Sequence, residues 1–391
     1  MLCAAFSAGR AQQPTLGDAT MRVEFSAADG HVRALRDWNS RKLAGADSDS
    51  IGLWSLDLAP GGSSATINAV QAKHFEWRRT SDRAIELAWS DFAGTPAPQL
   101  KVLATVQLRS DTTTTWRIRI EGIRGVEIDR VRYPRLTNIV TSGSGEELAV
   151  PSWMGQRSRN PATMLAGNDG KGRRIEFVYP GALSMQAIAL SSAKHGGLYL
   201  SADDSAAFRK SFALWGSADG SAGYDMVHLL PNPGTLNVFS PPYASIVGVV
   251  HGDWFSAVER YRKWGTAQYW ARESRLHTGN TPEWLRQTGI WVWNRGHSDV
   301  VLEPAADLMK DAKLPVSVFW HWWHNGPYDT SFPDYLPPRE GAEHFTNAVK
   351  TAHSVGLHTI VYMNQRLWCI NTPSWTREGA ERWAVHERDG K

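Results

Sequence analysis

Indole, imidazole, amide and carboxylate side chains crowd one short stretch, Trp320-His321-Trp322-Trp323-His324-Asn325, followed closely by Tyr328, Asp329 and Asp334-Tyr335. Flat apolar rings beside directional polar groups suit a ligand with C–H faces to stack and hydroxyls to bond, which is the chemistry of a sugar. Two further groups repeat the theme: Trp293, Asn294 and Arg295 upstream, and Asn364, Gln365, Arg366 and Trp368 downstream. Three indoles and two imidazoles between Trp320 and His324 cannot all be buried at one strand end without polar partners, so ligand-facing duty is expected within that run. Of Trp291 and Trp293, one is expected in the core. The substrate-binding set read this way is Trp293, Trp320, His321, Trp322, His324, Asp329, Asp334, Asn364 and Arg366. Asp329 and Asp334 read equally as turn caps in a loop stiffened by Pro327, Pro333, Pro337 and Pro338, and Arg366 as half of a structural ion pair. His321 and His324 with Asp329 do not match an established ligand spacing, so neither a metal nor another cofactor is expected.

Such groups need a scaffold that gathers them. Strand candidates at Gly289–Trp293, Pro315–Trp320 and Leu357–Asn364 alternate with helical stretches at Glu303–Ala312 and Gly341–Val355. In the second helix Phe345, Val349, Ala352 and Val355 share a face. Near-continuous apolar strands alternating with amphipathic helices predict a parallel sheet. Ligands meet the carboxyl ends of such strands, where the three groups fall.

Upstream, from Met21 to about Val250, the periodicity is two. Thr115-Trp116-Arg117-Ile118-Arg119-Ile120 sets arginines on one face and apolar residues on the other. Many such strands at short spacing predict a large antiparallel β-sandwich. Asp253 opens an amphipathic helix to Trp264. The expected organisation is a leader (1–20), a β-sandwich (21–250), a helical connector (251–280) and an α/β part (281–391). A whole (β/α)8 barrel takes about 250 residues. Residues 283–391 hold three βα units, which fit a doubly wound sheet or the start of such a barrel; a stop at Glu387–Lys391 in mid-pattern reads as truncation, with a smaller α/β lobe as the alternative.

Composition sets outer bounds. A net charge of +3 without basic runs gives no reason to expect a nucleic-acid partner. No stretch approaches the roughly 18 apolar residues of a membrane span. Leu2 to Gly9 is similar to the back half of a secretory signal without its basic start, so an exported protein, secreted or periplasmic, is expected. Cys3 and Cys369 are the only cysteines, and neither a disulfide framework nor a thiolate metal site follows.

The segments Gly252-Asp253-Trp254-Phe255, Phe319-Trp320-His321-Trp322-Trp323-His324, Asp329-Thr330-Ser331-Phe332-Pro333-Asp334-Tyr335 and Tyr362-Met363-Asn364-Gln365-Arg366-Leu367-Trp368 carry a family resemblance. The chain resembles bacterial glycoside-hydrolase-like proteins in which a galactose-mutarotase-like sandwich precedes a (β/α)8 barrel of the α-galactosidase and α-glucosidase type. The resemblance implies a carbohydrate substrate and, for this chain, the sandwich plus barrel strands one to three. In such barrels the nucleophile follows the fourth strand and the acid/base a later one, which implies that no catalytic residue is present here. Glycoside hydrolysis needs two carboxyl groups flanking the bond, and Asp329 and Asp334 are placed in the sugar-binding wall instead. A non-catalytic exported glycan-binding protein is the alternative. Sugar-ring isomerisation in the sandwich is a third, weaker reading.

Overall fold

The structure, a computed structural model, describes residues 13–58, 65–140, 145–167, 169–217, 221–230, 236–364 and 366–385. The leader stretch Leu2–Gly9 with Cys3, Gln365, and the final Glu387–Lys391 lie outside the described residues. The chain divides into two compact units, Met1–Arg272 and Glu273–Lys391.

The first unit is antiparallel throughout its described strand pairs and contains a ten-stranded, a six-stranded and a four-stranded sheet. Period-two patterning explains the layers. In Thr113–Glu121 the residues Trp116, Ile118 and Ile120 are buried while Arg117 and Arg119 are exposed. The large sheets share one core. Trp116 on the ten-stranded sheet meets Tyr133 on the six-stranded sheet, ring centroids 6.2 Å apart, and Trp54 meets Trp89 edge-on at 6.0 Å. Burying one such ring removes about 150–250 Å² from water, worth about 5 kcal/mol as an upper bound. Five of the nineteen tryptophans, Trp54, Trp89, Trp116, Trp320 and Trp323, are buried in the two cores.

Two polar groups sit inside this core with their valences filled. The Lys210 ammonium donates to Asp204 Oδ2 (2.6 Å), to the Phe208 carbonyl (2.6 Å) and to Gln186 Oε1 (3.3 Å). His228 Nε2 donates to the Tyr133 carbonyl at 2.7 Å, so its Nδ1 accepts from the Tyr243 hydroxyl at 2.8 Å. The helix Trp254–Thr266 begins where Asp253 accepts from the Phe255 N–H, an N-cap. It packs Ala257 and Tyr261 against Ala187, Tyr199 and Ile246 of the ten-stranded sheet.

In the second unit three parallel strands, β1 (Ile290–Arg295), β2 (Val316–His321) and β3 (His358–Val361), pair in the order β1-β2-β3. The helices α1 (Ser298–Ala312) and α2 (Ala342–Ser354) connect them. Val316, Val318 and Trp320 of β2 pack with Val301, Leu302 and Ala305 of α1 and Ala352 of α2, joined by Ile290 and Val292 of β1. By alternation, Trp291, Trp293 and Arg295 of β1, Ser317, Phe319 and His321 of β2, and Ile360 of β3 point to the face opposite α1 and α2, where Trp284 of the short helix Glu283–Gln287 meets Trp291 at 6.3 Å.

Helix α1 starts five residues before the patterned stretch, because its start is specified from elsewhere. The Glu340 carboxylate accepts the Ser298 N–H (2.9 Å) and the Ser298 hydroxyl (3.0 Å) and lies 3.3 Å from His344 Nε2. A carboxylate at a helix N-terminus satisfies an orphan donor and complements the dipole. Glu340→Ala is therefore expected to destabilise the second unit by about 1–2 kcal/mol, read as a lower urea midpoint; an unchanged midpoint contradicts the capping role. Pro304 lies inside α1 and cannot bond the Val300 carbonyl. The Asn294 side-chain amide fills that vacancy at 3.1 Å.

Candidate functional site

The face opposite α1 and α2 is richest in candidate groups at the carboxyl ends of the strands. The Trp293 side chain is exposed, at 56%, and meets the His321 ring at 5.0 Å in a T-shape. His321 stacks on Tyr362 at 4.2 Å, contacts Phe319 at 4.7 Å and lies 6.5 Å from Tyr328. Neither of its ring nitrogens has a hydrogen-bond partner, although the residue is only 8% exposed. Burial lowers its pKa against the pull of Asp329, so the imidazole is neutral at pH 7 and presents one donor and one acceptor. The Arg295 guanidinium lies over the Tyr328 ring at 4.9 Å. Asp329 is exposed, with φ 60°, next to these groups.

Other candidates are engaged in holding the loops. Trp322 donates its indole N–H to the Gly326 carbonyl (2.7 Å), and the Arg339 guanidinium covers its ring at 3.8 Å. Asp334 Oδ2 accepts from the Ser374 N–H, at the start of the short helix Pro373–Arg377. Asn364 Oδ1 accepts from the N–H groups of Arg366 and Leu367, both at 2.9 Å, and its own N–H bonds the Tyr335 hydroxyl. Arg366 is exposed.

Three expectations need correction. Trp320 does not face a ligand: it is fully buried, stacks on Phe345 of α2 at 5.3 Å and donates to the Gly296 carbonyl at 2.9 Å. It shares the helix-facing side with Val316 and Val318, which period-two geometry requires. His324 is buried in the loop, its Nδ1 3.1 Å from the Ser331 hydroxyl and its ring edge-on to Tyr335. Burial, then Arg339, lowers its pKa. Trp291 and Trp293 are both exposed, since residues two apart on a strand share a face.

The structure thus gathers Trp293, His321 and Asp329 with Arg295, Tyr328 and Tyr362, and leaves Trp320, His324 and Asp334 in packing or capping roles. Tyr362 was missed as a contact, although its spacing from Ile360 sets it on the face of His321. Among the described residues no group of three His, Cys, Asp or Glu side chains is placed to hold a metal ion, and no helix is long and apolar enough to cross a membrane.

Comparison with known proteins gives a class. Residues 239–391 match a family described as a domain of unknown function, DUF6259. A Bacteroides thetaiotaomicron protein named "Putative glycoside hydrolase" is 24% identical over 302 residues, 75% of this chain and 42% of its own length. A Monosiga brevicollis protein of similar name is 28% identical over 208 residues, 46% of this chain and 17% of its own. Among solved structures, an α-N-acetylgalactosaminidase of Bifidobacterium bifidum in complex with GalNAc superimposes with a TM-score of 0.66 at 13% identity, covering 97% of this chain and 62% of that one. The chain is glycoside-hydrolase-like in sequence and fold, and it spans less than two thirds of the length of each of these proteins.

Proposed function

We propose that this chain is the carbohydrate-binding portion of a glycoside hydrolase, with a galactose-mutarotase-like sandwich and the first three strands of a (β/α)8 barrel. The observation that carries it is the buried, unpartnered His321 imidazole framed by Trp293, Tyr362 and Tyr328 at the carboxyl ends of parallel strands. A buried polar group without a partner calls for one; sugar hydroxyls would supply an acceptor for its N–H and a donor for its bare nitrogen once the rings that enclose it give way. Trp293 offers an exposed indole for the C–H face of the ring, while Arg295 and Asp329 reach other hydroxyls. The two carboxyl groups that hydrolysis requires are assigned to other parts of the full enzyme, since Asp334 caps a helix in this one.

Calorimetric titration with galactose, glucose and N-acetylgalactosamine tests this. At least one is expected to bind, with affinity reduced tenfold or more in Trp293→Ala and an unchanged unfolding midpoint. Absence of binding to all three, or full binding by Trp293→Ala, contradicts the proposal.

A further inference from the structure

The first unit holds a cavity of about 490 Å³, within the size range of small-molecule sites. Its floor is aliphatic, with Ala149 on the strand Glu147–Val150 and Ala187 on the strand Ala187–Ser192. Four aromatic side chains, Trp153, Tyr199, Trp254 and Tyr261, also line it, with Gln156 and Arg157 among the polar residues.

Three of the polar side chains around it, Ser184, Tyr261 and Arg157, are engaged within the protein, and the exposed Gln156 amide stands beside them. The Ser184 hydroxyl donates to the Pro151 carbonyl at 3.0 Å, and the Tyr261 hydroxyl accepts the Gln186 N–H at 3.4 Å. Arg157 pairs with Glu147 at 3.2 Å, its guanidinium 5.9 Å from the centre of the Trp254 ring. Trp153 stands at the rim, 82% exposed, with φ 54°. A bulky residue in the left-handed region is a true outlier and persists only when its surroundings dictate it. They do so here: the Trp153 N–H donates to the Ala182 carbonyl and the Gly155 N–H to the Ser152 carbonyl, both at 2.9 Å. The loop therefore presents an uncovered indole in a fixed backbone.

We propose that this cavity binds an aromatic ring, a phenol or other aryl group, stacked on Trp153 and Trp254, at a site separate from the strand ends of the second unit. The mostly apolar lining, with the Ser184 and Tyr261 hydroxyls committed to backbone groups, offers too few partners for the several hydroxyls a sugar would bring out of water. The four aromatic walls favour a flat ring over an acyl chain, because offset and edge-on ring contacts add to simple burial.

Calorimetry on the full chain with 2-naphthol, methyl α-galactoside and octanoate separates the classes. 2-Naphthol is expected to bind, and to lose tenfold or more in affinity in Trp153→Ala and in Ala149→Phe, which fills the floor. Trp293→Ala should leave it unchanged, so that this site and the sugar site fail independently. The proposal is overturned if 2-naphthol does not bind, if both cavity variants bind it normally, if Trp293→Ala weakens it equally, or if the galactoside or octanoate binds more tightly in a Trp153-dependent way.

Discussion

Replacing Trp320 with alanine is expected to cost the second unit about 3–5 kcal/mol, the range for removing a large aromatic from a closed core. The indole is fully buried, stacks on Phe345 and supplies the hydrogen bond that satisfies the Gly296 carbonyl. Truncation leaves a cavity between β2 and α2 and an orphaned acceptor at the turn after β1. Urea unfolding followed by hydrogen exchange at the amides of Val316–His321 measures the loss. A penalty below about 1 kcal/mol would show that the site collapses freely and that Trp320 is not a keystone of this core. The same substitution at Trp293 should leave that exchange untouched, because its ring lies on the open face.

Acid should weaken the first unit through one buried histidine. Burial, reinforced by the Lys210 ammonium and only partly offset by the Tyr133 carbonyl, pulls the His228 pKa down to about 4 from an ordinary 6.5. A base with a depressed folded pKa binds fewer protons folded than unfolded between those two values, so stability rises with pH across that window. The contribution is complete above pH 6.5, falls as pH drops from 6.5 towards 4, and levels off below. Two to three pH units at 1.36 kcal/mol each amount to about 3 kcal/mol. Denaturant unfolding of the first unit at pH 7 and pH 4.5, compared between the native chain and His228→Gln, isolates this part. An equal pH dependence in both chains would rule it out.

The layers were legible because alternation is local. Trp116, Ile118 and Ile120 announced their face without help from the rest of the molecule, and the strand–helix alternation after Pro282 announced a parallel sheet. What failed was local sequence asked to answer tertiary questions. Trp320 was assigned by nearness to a strand end, whereas its parity with Val316 and Val318 decided its side. His324 looked like a ligand group because the loop that encloses it, closed by Ser331 and Tyr335, leaves no periodic trace. The first turn of α1 went unread because its cap, Glu340, lies 42 residues downstream. The cluster around His321 was only half visible, since Tyr362 reaches it from β3's end through strand pairing.

Asn294 follows Trp293 and precedes Arg295, and by address alone it belongs with the ligand-facing groups. Its amide is spent instead on the carbonyl that Pro304 leaves open. That single tie couples the pitch of α1 to the rim of β1, so the proline, usually counted as a defect in a helix, acts as an anchor point. Positions 294 and 304 are therefore energetically coupled: a backbone donor restored at 304 frees the amide at 294 for another task, and removing the amide alone strands the Val300 carbonyl.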